Sequence, residues 1–373
     1  MNRILKLGMM LTAVVLTACN NAGKQNAETA IEGCSGENIQ QVNIDMEKKE
    51  VQLYVSKAAE LTQLEVQFDL TDGATIQPKN LLPQDNPPYY DFSKTVEGKR
   101  FFTVVSENGL WESTYQISAW QMELPKHFGF ERLAAAPYHV ITDDYSSDNV
   151  IRRLQWCSGN RGFQMRGLAK SITDYPTTQA KGGVLETEHC VKLQTMSNGE
   201  QGIEEGMPIA SGSLFIGSFD LAYMNKDVKK AMKLGETFYE KPVRMTGWYK
   251  YRPGEVFTNS RGKVMKKKTD ACEICAVLFE TSERVQHLDG RNFLKAKNIV
   301  SIARNPEQVK ATGEWTRFEL PFVENGRKKI DRKKLAAGKY KLAVVFASSV
   351  DGGNFEGAVG STLYIDEVHI DVE

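Results

Sequence analysis

Apolar and polar residues alternate along much of this chain with a period of two. Val42, Ile44 and Met46 are spaced this way, as are Val51, Leu53 and Val55. Leu64, Val66, Phe68 and Leu70 follow and run into Asp72-Gly73, a dipeptide that favours tight turns. Phe102 and Val104, then Tyr115 and Ile117, keep the period on either side of Glu107-Asn108-Gly109. Residues two apart on a strand share a face, so each run predicts a strand with one buried side. Short strands separated by turn signals predict a small β-sandwich over residues 37–122. Pro83, Pro87 and Pro88 predict a long loop inside it, because proline cannot donate to a strand ladder.

A second unit is expected over residues 123–373. Strands are predicted at Gly183–Leu193, Ser213–Leu221, Val243–Tyr251, Cys272–Glu280, Trp315–Phe322 and Tyr340–Ser348. Helical spacing is confined to Asp227–Leu234. Many strands without alternating helices exclude a doubly wound fold and predict two sheets packed as a jelly roll. The final run has Leu363, Ile365, Val368, Ile370 and Val372 as its apolar positions. Asp366 and Glu367 break its register, as a β-bulge or a bound ion would.

The chain has 373 residues, enough for two such domains, and a formal net charge of +0. No global field favours nucleic acid, and the basic runs at Lys266–Lys268, Arg327–Lys329 and Arg332–Lys334 read as solvated loops. Arg3 and Lys6 precede a short apolar run, Leu7–Leu16, that ends in Leu16-Thr17-Ala18-Cys19. That run is too short for a permanent membrane helix and reads as an export signal over residues 1–19. Its end has the form of a lipobox, which implies diacylglycerol on Cys19, cleavage before it and an N-linked acyl chain such as palmitate. The chain is then expected at the outer membrane, on its periplasmic or surface face. Residues 20–36 are small and polar and read as a flexible tether.

Three strings carry a family resemblance. They are Gly353–Val368, preceded by Val345–Ser349; Gly212–Phe219; and Gly247–Gly254. They resemble the putative carbohydrate metabolism (PCMD) domain, found in lipoproteins of Gram-negative gut bacteria. Asp69–Pro78 and Asp91-Phe92-Ser93 resemble the immunoglobulin-like domains that precede it. The resemblance implies an immunoglobulin-like β-sandwich followed by a carbohydrate-binding-module-like jelly roll. It also implies an envelope protein that binds glycan without catalysis. The alternatives are a glycoside hydrolase of the same compartment and a structural or adhesion partner of an outer-membrane assembly.

Neutral sugars are held by stacking on aromatic rings, with polar groups at the hydroxyls. Trp156 lies in a glycine-broken segment with Asn160 and Arg161 close behind, and these three are the first candidates for a sugar platform. Tyr249, Lys250 and Tyr251 are the second, with strand alternation placing Lys250 beside Trp248 and opposite the two tyrosines. Trp315 is assigned to the core. Calcium-bearing jelly rolls can share an ion between a first-strand glutamate and a last-strand aspartate; Glu131 and Asp366 match those places, so a structural Ca²⁺ is expected there. Paired carboxyls for glycoside hydrolysis would have to come from Glu131, Glu186, Glu188, Asp220 or Asp366, and no spacing singles out two of them. Cys272 and Cys275 have C-x-x-C spacing inside a strand-like run, which places them as buried apolar residues rather than a redox or zinc pair. An export compartment permits a Cys157–Cys190 disulfide without requiring it. Phosphate-loop, dinucleotide, zinc-protease and nucleophile-elbow motifs are absent from the sequence.

Overall fold

The computed structural model describes residues 26–57, 59–93, 99–135, 137–147, 150–219, 223, 227–282, 284–305, 309–326 and 328–373. Cys19 and the rest of the expected export signal, residues 1–19, lie outside the described residues. No helix among the described residues is long and apolar enough to cross a membrane. The chain divides into two compact units, with the second beginning at Gln121 apart from the short segment Ser56–Ala58.

The first unit is built from β1 (Ile31–Ser35), β2 (Ile39–Asp45), β3 (Glu50–Ser56), β4 (Gln67–Leu70), β5 (Thr75–Pro78), β6 (Lys99–Val105) and β7 (Glu112–Met122). One sheet has the order β2-β3-β7-β6-β5, and β1 pairs with β4 in a second. The two are joined by rings: Phe68 and Phe102 lie 5.5 Å apart between centroids. Val51, Leu53, Val55, Phe102, Val104, Tyr115 and Ile117 face inward, following the period of two read from the sequence. The expected tether over 20–36 is corrected at its end. Ile31 is fully buried and Ile31–Ser35 pairs with Gln67–Leu70. One isoleucine in a polar run shows no period, so this strand depends on its distant partner. Arg100 and Asp85 form a buried bidentate pair, with Nη1 donating to Oδ1 at 2.7 Å and Nη2 to Oδ2 at 2.6 Å.

The second unit opens with β8 (His127–Phe128), a meander of β9 (Arg132–Ala135), β10 (His139–Ser147) and β11 (Val150–Gln155), and the short helix α1 (Asn160–Gln164). Then come β12 (Thr177–Lys181), β13 (His189–Gln194), β14 (Ser213–Phe215), β15 (Pro242–Arg252), β16 (Glu273–Glu280), β17 (Ile299–Arg304), β18 (Thr312–Glu324), β19 (Tyr340–Ala347) and β20 (Thr362–Val372). These strands form one antiparallel sheet in the order β14-β19-β16-β17-β18-β15-β20-β13-β12, with β8 added to β20. β18 serves both halves. Its Thr312–Pro321 part pairs with β15, and Phe322–Glu324 pairs with β17. The sheet therefore folds back on itself as the two layers of a jelly-roll sandwich. Phe128 and Phe130 from one side meet Trp156 and then Phe346 of β19, with Trp156–Phe346 centroids 6.0 Å apart.

The layer of β16 and β19 is buried on both faces. Cys275, Val277, Phe279, Ala343 and Val345 pack outward against Leu234, Leu288 and Ile299. That explains why Glu273–Glu280 and Tyr340–Ala347 read as nearly continuous apolar runs rather than alternating ones. Cys34, Cys157, Cys190, Cys272 and Cys275 are all free thiols, so Cys157 and Cys190 do not pair. Three predicted elements are shorter than expected, the strand predicted over Ser213–Leu221 being split into Ser213–Phe215 and Gly217–Phe219. The strand predicted from Gly183 starts at His189, and the helix predicted over Asp227–Leu234 is Val228–Ala231, capped by the Asp227 carboxylate on Lys230 N–H.

Candidate functional site

The layer β18-β15-β20-β13 has a core side and an outer side, and the alternation on β15 decides which residue is where. Tyr249 and Tyr251 turn inward. Tyr251 is 2% exposed and its hydroxyl donates to the Ser348 carbonyl at 3.3 Å. Tyr249 packs on Phe318, ring centroids 6.4 Å apart, and donates to the Lys310 carbonyl at 3.3 Å. Trp248 and Lys250 consequently turn outward. Register places Tyr364 beside Lys250, Lys192 beside Tyr364, and Arg317 beside Trp248. Lys250 Nζ stands 4.4 Å from the Trp315 ring centre and 5.1 Å from that of Tyr364. Each such contact is worth about 0.5–1 kcal/mol at a partly exposed site and holds a ring in one orientation. Trp248, Lys250, Trp315, Tyr364 and Lys192 are all partly exposed. The result is a face of flat rings interleaved with long cationic donors, the amphipathic composition that saccharide stacking needs.

Trp315 thus corrects the expectation that it lies in the core. Phe318 and Leu320 are the inward residues of β18, and Trp315, an odd number of positions from each, falls on the opposite, outer face with Arg317. The opposite correction applies to Trp156, which is 2% exposed. Its Nε1–H donates to Asp143 Oδ2 at 2.7 Å, and Asp143 Oδ1 accepts from the backbone of Gly129 and Phe130. Burial pushes the Asp143 carboxyl up, against the pull of those three donors. Asn160 is fully buried and is no sugar ligand either. Its Oδ1 accepts from Thr177 N–H at 3.0 Å and its Nδ2 donates to the Thr177 carbonyl at 2.7 Å, tying α1 to β12. Arg161 is exposed on α1. Of the six residues expected to bind sugar, only Lys250 stands on the ring-lined face. Trp156, Asn160, Tyr249 and Tyr251 are buried in the interior.

A family model described as "Putative carbohydrate metabolism domain" matches residues 129–371, which is more than half of the chain. The chain belongs to the PCMD family. A structure of a putative glycoside hydrolase from Bacteroides thetaiotaomicron VPI-5482 is 38% identical, with a TM-score of 0.77 over 94% of this chain and 98% of that one. A second, of a putative glycoside hydrolase from Bacteroides vulgatus ATCC 8482, is 37% identical, with a TM-score of 0.62 over 67% of this chain and 99% of that one. No curated protein sequence matches.

Within the PCMD domain, the ring-lined face is edged on one side by the segment 183–187. Asp366, paired with Trp248 in register, is fully buried there. Its Oδ2 accepts from Val184 N–H and from the Thr187 hydroxyl, both at 2.8 Å. Burial pushes its carboxyl up to about 6, opposed by these bonds. Glu131 instead takes His189, with Oε1 on the backbone N–H at 3.1 Å and Oε2 on Nδ1 at 3.0 Å. The two carboxylates expected to share calcium thus have separate hydrogen-bond partners. A separate feature of the PCMD domain is an open cavity of about 380 Å³ near α1, lined by Phe163, Leu168, Lys170, Asp174, Met196, Ser197 and Gly199. The sequence marked Lys250 and Trp248 of the ring-lined face but not Trp315, Tyr364, Lys192 or the cavity lining, which come from segments far apart along the chain.

Proposed function

We propose that this PCMD protein is a lipid-anchored envelope protein that binds glycan without hydrolysing it, and that the saccharide lies on Trp315, Tyr364 and Trp248. The observation that carries this reading is the position of Lys250, whose ammonium holds Trp315 and Tyr364 as two ring faces on one sheet. Lys250, Lys192 and Arg317 are the donors for hydroxyl groups. In this reading Cys19 carries the lipid and places the jelly roll at the outer membrane.

The names of the two Bacteroides relatives favour a second reading, glycoside hydrolysis. Such chemistry needs two carboxyls flanking the scissile bond. Asp366 is the carboxyl in register with the ring-lined face, and its burial beneath segment 183–187 favours binding over hydrolysis. The test uses the full chain in detergent against a polysaccharide panel, with affinity-gel retardation and reducing-end release measured on the same samples. Retardation without release supports binding. Release that survives repurification supports the hydrolase, and neither signal on any polysaccharide rejects both readings.

A further inference from the structure

The structure assigns a second, separate site: His127, Glu367 and His369 form a binding site for a divalent transition ion such as Zn²⁺. The three side chains come from two adjacent strands. His127 of β8 is the direct partner of His369 in β20, and Glu367 lies two residues before His369. Their ligand atoms all lie within 4.8 Å of one another. His127 Nε2 is 3.1 Å from Glu367 Oε2, and His369 Nε2 is 3.7 Å from the same oxygen. A tetrahedral zinc with bonds of about 2.0–2.1 Å spaces its ligands by about 3.3 Å, between those two values. Two imidazoles with one carboxylate select zinc or a neighbouring transition metal over calcium, which prefers an all-oxygen shell.

The backbone supplies an independent reason to single out this carboxylate. Glu367 has φ 48°, a left-handed conformation that costs most side chains energy. It sits where the β15–β20 register slips, opposite Gly247. Such a bulge re-aims a side chain, and here it presents the Glu367 carboxylate to both imidazoles. On the carboxylate's other side is Gly129; a Cβ there would stand 3.3 Å from Glu367 Oε1 and 3.9 Å from His127 Nε2. The bare glycine keeps that space open. The imidazole rings are stacked, centroids 4.1 Å apart and 5° from parallel, so each must tilt to aim its lone pair at a shared ion. With side chains 52% and 46% exposed, the rings have that freedom, and a fourth coordination position faces solvent.

The test is calorimetric titration of Zn²⁺ into the full chain after chelation, with Co²⁺ absorption as a readout of tetrahedral geometry. One Zn²⁺ per chain is expected. His127→Gln and His369→Gln should each weaken binding by about 100-fold or more, while His189→Gln, outside the cluster, should not. Glu367→Gly separates metal binding from folding, because glycine accepts the left-handed turn. It should abolish Zn²⁺ binding and leave the melting temperature of the metal-free protein unchanged or higher. Absence of saturable binding to the wild type overturns the assignment. So does Zn²⁺ binding that survives all three cluster substitutions.

Discussion

Trp315→Ala tests the sugar-binding proposal most directly. One face of the indole offers a saccharide roughly 60 Å² of apolar contact. At about 25 cal/mol per Å², removing that contact costs about 1.5 kcal/mol. The geometric preference of ring stacking adds about 0.5–1.5 kcal/mol. The sum is about 2–3 kcal/mol, or a loss of affinity of about 30- to 140-fold. Folding should tolerate the change, because Trp315 is only partly buried and its contact with Lys250 is worth about 0.5–1 kcal/mol. Trp156→Phe is the matched control. It removes the indole N–H that satisfies buried Asp143, so it should lower stability by about 2–4 kcal/mol and leave affinity unaltered. The assay is calorimetric binding of whichever oligosaccharide the gel screen selects, with thermal melts of each variant. Should Trp315→Ala bind as tightly as the wild type, or should folded Trp156→Phe lose binding, the ring-lined face is not the site and the cavity near α1 becomes the better candidate.

Other substitutions test the fold of each unit by itself. Arg100→Met leaves Asp85 buried without its partner and should destabilise the protein by about 3–5 kcal/mol at neutral pH, read by urea unfolding. Burial acts to raise the Asp85 carboxyl, but the hydrogen bonds from Arg100, Leu82 and Asp91 overcome it and hold it below its ordinary value. A lowered folded-state value stabilises above the unfolded value of about 3.9 and is lost as pH falls through the folded value, so the gap between wild type and Arg100→Met should close in acid. Asn160→Ala deletes the bonds joining α1 to β12 and should cost about 2–4 kcal/mol in thermal melts, without a direct effect on sugar affinity. Gly212→Ala would put a Cβ 2.4 Å from both Gln194 N and the Pro176 carbonyl oxygen, and should cost at least about 2 kcal/mol by the same measurement.

Period-two alternation was enough to read an all-β chain, a small sandwich followed by a larger one, and a break in the last strand at Asp366-Glu367. These are local signals: a strand's own residues state which side is buried, and a bulge interrupts its own register. Alternation on β15 also separated Trp248 and Lys250 from Tyr249 and Tyr251, because side-chain direction on one strand is a property of that strand. Which of the two faces met solvent was decided only by the second layer of the sandwich. Trp156 stands in a polar, glycine-broken segment, yet Phe128, Phe130, Phe346 and the Asp143 carboxylate close around it from elsewhere in the chain. Trp315 looked like an ordinary strand start, yet the inward positions of β18 are Phe318 and Leu320, so alternation leaves Trp315 on the outer face beside Lys250. The His127–Glu367–His369 group joins residues about 240 positions apart. Proximity of that kind is created by strand pairing, and no window along the sequence contains it.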